Sequence, residues 1–463
     1  MSKLLEADTF ALFLAAVGLA SLAYVCFRHW PRLAGVSWLL VVAFVPYWLG
    51  VKILINISPA SAVGLLVIAA LLPVAFSHVS PADLLVAFLI LVAVVALLLG
   101  YGTLTTAVLA VVEWGVGYTL GRVMPLRLGV EWVQDTVAVI FTVVAFGAVL
   151  EFLSGVNPFV LLAFGDSSYA VWGTLQERGG QLRVEGAFGH SIALGASLAL
   201  AVPLVLASRF RGWIRIGMVL VIGLASVFTF SRIGIGCVLI GLLLTLVTQA
   251  RHLAARIRIT LLGLLATGAV FAAPLVLRVF AQAGSEATDS SAYRRDLGGL
   301  VSQISLFGLS PSAAISPDGT LRFAGFRSID SAVVLLGLTY GAIAVLTVTA
   351  LYLAGVACTV TGRATPATVS VVALLPAYLS VALITQYSIF LWFCTGLAVT
   401  SQQLRTNGDE RARQGVQRRT LTSSYGPRPQ LAAGAVGGRS ARSGAGETGR
   451  TAWVRGNRDH DHA

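Results

Sequence analysis

From Leu84 to Leu99 the chain runs for sixteen residues without a polar side chain. A run of that kind belongs in hydrocarbon, where only helices and closed barrels can satisfy their own backbones. Barrel strands alternate polar and apolar residues, and this run does not. The signature recurs along all 463 residues: 57% are apolar and 11% are charged, and the mean hydropathy is +0.86. A soluble globule covers itself with roughly 25% charged residues. The sequence therefore predicts an all-α, polytopic integral membrane protein, and the bilayer replaces soluble-domain length as the ruler.

With about 1.5 Å of rise per residue and about 30 Å of hydrocarbon, thirteen stretches qualify as spans. They are 8–27, 33–51, 61–77, 83–99, 103–121, 132–153, 189–207, 212–230, 234–248, 257–278, 329–357, 367–384 and 387–401. The last two can be read as one tilted helix, giving twelve or thirteen. The N-terminal MSKLLEAD is slightly acidic, and the stretch after it is long enough to remain a helix, so no cleavable signal is expected. The four cysteines are too far apart for a CxxC pair, and neither a metal site nor a disulfide framework is indicated.

Arginine placement orients the spans, because short loops rich in Lys and Arg stay in the cytoplasm. With the N-terminus outside, the inner loops carry eleven basic residues against three acidic ones, Asp83, Glu131 and Asp135. The outer segments carry ten basic and eleven acidic residues. Residues 1–400 then form a membrane domain with two extracytoplasmic loops, 154–188 and 279–328, the larger standing just before the last helices. Both are long enough to form a functional face. The stretch 401–463 changes character: eleven Arg against five acidic residues, a net of +6, with much Gly and Ser, predicts a disordered cytoplasmic tail. It supplies half of the formal +12, so the basic balance is no sign of nucleic-acid binding. A solvated tail is the plain reading. Contact with anionic headgroups would add about 1 kcal/mol per basic residue.

The outer arginines go against the charge rule. Arg183, Arg232 and Arg294 each lie near a predicted helix end, where they can enter a hollow between helices or meet an anion. The planar guanidinium donates two parallel hydrogen bonds to phosphate and stays charged. Taken singly, each is as well explained as a snorkelling anchor or as a partner for Glu185 or Asp296. Taken together, with His190 opening a span after Glu185, Gly186 and Gly189, they indicate a site. Glu113 is the main candidate for a charge at midplane depth. No carboxylate pair of the glycoside-hydrolase kind stands out, and the glycines of RIGIG (232–236) suit helix packing better than nucleotide binding.

Four runs carry a family pattern: RVEGAFGHSIALG (183–195), FTFSRIGIG (228–236), YRRDLGGLVSQISLFGLSPS (293–312) and IDSAVVLLGLTYGAIAVL (329–346). In this order the chain resembles the O-antigen ligase and polymerase superfamily of bacterial membrane glycosyltransferases. The matching positions are Arg183, Gly186 and His190; Ser231 and Arg232; Arg294, Leu297 and Gly308; and Asp330. Residues 1–150 share only their hydrophobic helices with it. Ligases of that family commonly carry a histidine near the end of the large loop. Here Asp330-Ser331 stands in that place and 279–328 has no histidine, which leans toward the polymerase branch.

The resemblance implies a GT-C-like, metal-independent enzyme of the bacterial cytoplasmic membrane that needs no cofactor. It would move or polymerise glycan repeat units from a polyprenyl-diphosphate donor onto a glycan or lipid acceptor hydroxyl at the outer face, among polysaccharide-assembly partners. Arg183, Arg232 and Arg294 are then assigned to the diphosphate. His190, Asp330 or Glu185 takes the hydroxyl proton, with His190 first because its unperturbed pKa lies near neutrality. Arg322, Arg327 and Ser231 are further substrate-binding candidates. The alternative is a lipid-linked oligosaccharide flippase or other secondary transporter, although no internal repeat is visible and the charges cluster at the outer edge. A structural scaffold would leave the outer arginines unexplained.

Overall fold

The structure, a computed structural model, describes residues 2–52, 56–72, 79–163, 167–250, 253–282, 297–316, 321–326 and 329–424. It is mostly helical. The helices are α1 (Ser2–His29), α2 (Pro31–Phe44), α3 (Pro59–Leu71), α4 (Pro81–Leu98), α5 (Leu104–Leu109), α6 (Val116–Leu128), α7 (Val130–Ser154), α8 (Ser167–Trp172), α9 (Ser191–Ala207), α10 (Gly212–Phe228), α11 (Arg232–Thr248), α12 (Ala255–Gln282), α13 (Ala332–Tyr340), α14 (Ala342–Val360), α15 (Pro366–Ala373), α16 (Leu375–Ser380) and α17 (Thr385–Ser424). Three two-stranded hairpins punctuate the loops: Val51–Lys52 with Asn56–Ile57, Glu177–Arg178 with Gln181–Leu182, and Ala313–Ile315 with Leu321–Phe323. Residues to Asp409 form one compact unit, and Glu410–Ala463 form a second, which is helical as far as Ser424.

Local chemistry sets the helix starts. Proline at the first helical position begins α2, α3, α4 and α15, where its missing N–H costs nothing. Side-chain oxygens of Ser58, Ser80, Ser231, Ser331 and Thr365 accept orphan backbone N–H groups at the starts of α3, α4, α11, α13 and α15. Pro81–Leu98, Leu104–Leu128, Val130–Ser154 and Ala342–Val360 are long and apolar enough to cross a membrane. Other apolar helices are shorter. α9, α10 and α11 have 17 residues each, or roughly 26 Å.

Each of the thirteen predicted spans contains helix, but four are built differently from expected. The 33–51 stretch is helical only to Phe44, after which Pro46 breaks the helix and the chain makes the turn Tyr47–Leu49 and enters the strand at Val51. The 329–357 stretch is two helices, α13 and α14, broken at Gly341 (φ 89°). A Cβ there would stand 2.7 Å from the Leu306 oxygen and from Phe307 backbone atoms, so only glycine lets the outer loop approach. The 367–384 stretch divides into α15 and α16 at Leu374, just before Pro376. The helix expected to end at 401 continues to Ser424, because 401–424 holds no proline and many Gln and Arg residues that favour helix. Residues 425–463 lie outside those described.

α9 is the axis of the packing. All of its residues except Ile192 and Ala207 are buried, with α7, α10, α11 and α15 around it. Its Ala, Gly and Ser content permits this, since helices meeting in lipid associate by close van der Waals fit rather than by water release. Aromatic stacks tie α17 to the same core: Phe390 lies 4.4 Å from Phe141, and Phe393 lies 4.9 Å from Trp38. A second core gathers Trp114, Tyr340 and Trp392. Between α5 and α6 the chain makes a π-helical turn, Ala110–Gly115, which carries the buried Glu113. The Tyr47 hydroxyl donates a hydrogen bond to that carboxyl.

Polar contacts separate into two rims. On one, Arg122 meets Asp83 through two contacts (Nε–Oδ1 2.9 Å, Nη2–Oδ2 3.0 Å) and donates to the Thr400 hydroxyl at 2.9 Å, while Tyr118 donates to Asp83 at 2.6 Å. Arg209 pairs there with Asp135 at 2.7 Å. The other rim holds the ends of α7 and α10, the starts of α9, α11 and α17, and residues 176–190. These are the two rims that charge counting assigns to opposite sides.

Candidate functional site

The site starts from an acid at the last turn of α7. The Glu151 carboxylate accepts the backbone N–H of Glu185 at 3.0 Å and of Gly186 at 2.9 Å, and the Asn157 amide at 3.0 Å. Asn157 also donates to the Gly186 oxygen at 3.1 Å. From the far side, Gln386 at the start of α17 donates to the oxygens of Val45 (2.8 Å) and Ala187 (2.9 Å). Residues 185–187 are thus gripped by two helices at once. A buried backbone needs such partners, and here they also fix a geometry.

Arg183 enters from this turn. It is 6% exposed, and its guanidinium donates to the Thr229 oxygen (Nε, 3.0 Å) and to Gln176 Oε1 (Nη1, 3.2 Å). Val184 N–H meets the Phe228 oxygen at 3.3 Å, and Arg178 donates to the Phe230 oxygen at 3.0 Å. Two arginines therefore clamp the short connection between α10 and α11. That connection contains Phe230 at φ 45°, a conformation that costs a non-glycine residue about 1–3 kcal/mol and persists only where neighbours impose it. Thr385, at the start of α17 on the same rim, is also left-handed (φ 47°).

After the clamp come two helix starts side by side. His190 caps α9, its Nδ1 accepting from Ile192 N–H at 3.2 Å. Ser231 caps α11, its hydroxyl accepting from Gly234 N–H at 3.1 Å, and Arg232 is the first, exposed residue of that helix. The helices touch at Gly195 and Gly234, where a Cβ on either would lie within about 3.1 Å of the other's Cα. The positive ends of two helix dipoles converge here beside arginine side chains, an arrangement that favours an anion.

Burial shifts the two titratable groups at the turn in opposite senses. Desolvation pushes the Glu185 carboxyl up to about 8, opposed by the Gln176 N–H at 3.2 Å and the Arg183 charge. Desolvation, with Arg183 nearby, pushes His190 down to about 4. His190 is therefore neutral at pH 7. With Nδ1 accepting the cap hydrogen bond, its proton sits on Nε2, which is left as a donor. The sequence puts His190 first as base on its unperturbed pKa; burial moves that value down and the Glu185 value up, because it penalises the charged form of each group.

The structure joins Arg183, Glu185, His190, Ser231 and Arg232 in one neighbourhood. Asp330 is exposed and precedes α13, whose cap Ser331 donates to the Leu379 oxygen at 2.9 Å. Through Ser331 and the 379–386 connection its segment is joined to the 185–187 turn. Arg322 is half-buried on a loop hairpin, in register with Ala314. Arg294 and Arg327 lie outside the described residues. Glu151, Asn157 and Gln386 escaped the sequence reading. Only Glu151 left a trace there, as an acid at the end of an apolar helix. Among the described residues no group of three or more His, Cys, Asp or Glu is placed to hold a metal ion. The chain matches no protein-family model, no curated protein and no solved structure.

Proposed function

We propose that this chain is a GT-C-like membrane glycosyltransferase of the O-antigen ligase and polymerase type. It transfers glycan from a polyprenyl-diphosphate carrier to an acceptor hydroxyl at the outer face of a bacterial cytoplasmic membrane, with polymerisation favoured over ligation. The observation carrying the reading is the meeting of Arg183, Arg232 and the starts of α9 and α11 around the neutral His190 and the proton-holding Glu185.

In the step this supports, the acceptor oxygen attacks the anomeric carbon, the bond from that carbon to the diphosphate oxygen breaks, and the lipid diphosphate leaves with the electron pair. Charge grows on the leaving group, and preorganised donors there lower the barrier most. Arg232, the two helix starts and His190 Nε2–H serve that purpose. Arg183 contributes its charge while its Nε and Nη1 hold the α10–α11 connection. Arg294 joins this set by its place in the sequence. The acceptor proton passes to ionised Glu185, with Asp330 as the second candidate base.

The test is lipid-linked glycan analysis in a deletion strain complemented with Arg183→Ala, Arg232→Ala or Glu185→Gln. Each variant should insert normally, accumulate carrier-linked repeat units at the outer leaflet and lose long polymer. Intact polymer in all three refutes the assignment, and accumulation at the inner leaflet points instead to the flippase reading.

A further inference from the structure

The outer loop that precedes α13 borders an open hollow of about 500 Å³ that shares no residue with the arginine site. It lies between the turn Val301–Gln303 and the hairpin Ala313–Ile315/Leu321–Phe323, and its volume falls within the range of about 300–1,000 Å³ common for small-molecule sites. Its polar lining is Ser302, Gln303, Ser305 and Ser312, with Ile304, Pro311 and Ala324 beside them, and among the described residues none that lines it is charged. The walls are held firmly: Ser310 N–H donates to the Leu338 oxygen of α13 at 2.8 Å, Gly308 N–H to the Tyr340 oxygen at 3.1 Å, and Ala324 N–H to the Ser312 oxygen at 3.1 Å.

The direction of the hydrogen bonds identifies the ligand class. Ser302 donates its proton to the Gly299 oxygen at 2.8 Å, and Ser305 donates to the Gly308 oxygen at 2.8 Å. The Ser312 hydroxyl shares a proton with Ser310 at 2.8 Å. These hydroxyls are left offering lone pairs. The Gln303 Oε1 atom, itself buried, has no protein donor. The polar groups of this otherwise apolar wall, uncharged among the described residues, present acceptors, which disfavours carboxylate and phosphate oxygens and suits a ligand rich in O–H donors. We infer that this cavity binds a neutral glycan unit through its hydroxyl groups. The choice of a glycan among neutral polyols rests on the glycosyl-transfer reading; the polarity of the site does not.

The full chain in phosphatidylcholine nanodiscs, free of sugar-based detergent, is titrated with cellobiose, lactose and chitobiose by saturation-transfer NMR. Galacturonate and inorganic phosphate serve as anionic probes. At least one neutral disaccharide should bind saturably, and neither anion should compete. Gln303→Leu should weaken binding at least about tenfold, the worth of one well-placed hydrogen bond. Ser302→Trp, which fills the cavity from an exposed position and removes only the bond to Gly299, should abolish binding even if Gln303→Leu disturbs the loop. Arg183→Ala should bind as the unmodified chain does, so sugar binding can persist where transfer fails, and the two readings fall separately. Binding of none of the three sugars, equal binding of galacturonate or phosphate, or unchanged binding in Ser302→Trp overturns the inference.

Discussion

Glu185 and His190 lie five residues apart, and burial drives their proton affinities past one another. The unshifted values are 4.5 for the carboxyl and 6.5 for the imidazole. Between pH 4.5 and about 8 the folded chain keeps a proton on Glu185 that the unfolded chain releases, so this residue makes stability fall as pH rises. Between about 4 and 6.5 the unfolded chain binds a proton at His190 that the folded chain refuses, so this residue makes stability rise. Below pH 6.5 the two oppose each other. Of these two, only the Glu185 effect remains from 6.5 to 8, and Glu185→Gln should lessen the decline in melting temperature across that window, measured in detergent by thermal unfolding. The same proton sets the rate in the proposed reaction. Transfer should climb with pH to a plateau above about 8, and Glu185→Gln should remove both the climb and most of the rate.

At the scale of elements, the site depends on how closely α9 and α11 can approach. Gly234 would place a Cβ 3.0 Å from the Gly195 Cα, a backbone atom that cannot swing aside, whereas Gly236 on the same helix has nothing within 4 Å. Gly234→Ala should therefore force the helices apart at a cost of about 1–3 kcal/mol, as overpacking does, and abolish transfer in a protein that still inserts. Gly236→Ala should be silent in both thermal unfolding and polymer formation, and equal behaviour of the two would remove the close approach as an explanation. The π-helical turn at Ala110–Gly115 is another element with consequences. It places the Glu113 carboxyl against the Tyr47 hydroxyl in the turn Tyr47–Leu49, and Trp48 beside it donates to the Leu162 oxygen at 3.0 Å. The acid that the sequence offers as a transporter's charge is thus bound into the supports of the rim that holds residues 176–190.

Across the whole molecule, the two polar rims are the simplest target. A cysteine at Ser154, exposed at the end of α7, should react with a membrane-impermeant maleimide in intact cells, and one at Arg211, exposed before α10, should react only after permeabilisation. The reverse pattern would turn the proposed site toward the cytoplasm. The helical part of this level was legible in advance, because apolar run length is a local property. Helix therefore stands in each of the thirteen stretches. Residues 183–195 and 228–236 were also legible as related segments, since helix-opening His190 and Ser231 mark themselves locally. The Gly341 break was not, because it follows from the approach of Leu306 and Phe307, and no periodicity within 329–357 announces a neighbour. Neither were Glu151 and Gln386, whose partners lie 34 and 199 residues away in the chain. The sequence alone determined that this protein is a helical membrane bundle with basic residues at its rims, since hydrocarbon tests each segment separately. Tertiary structure alone decided which acid is desolvated into keeping its proton and which helix starts come together, since desolvation and helix approach depend on groups that only folding brings together.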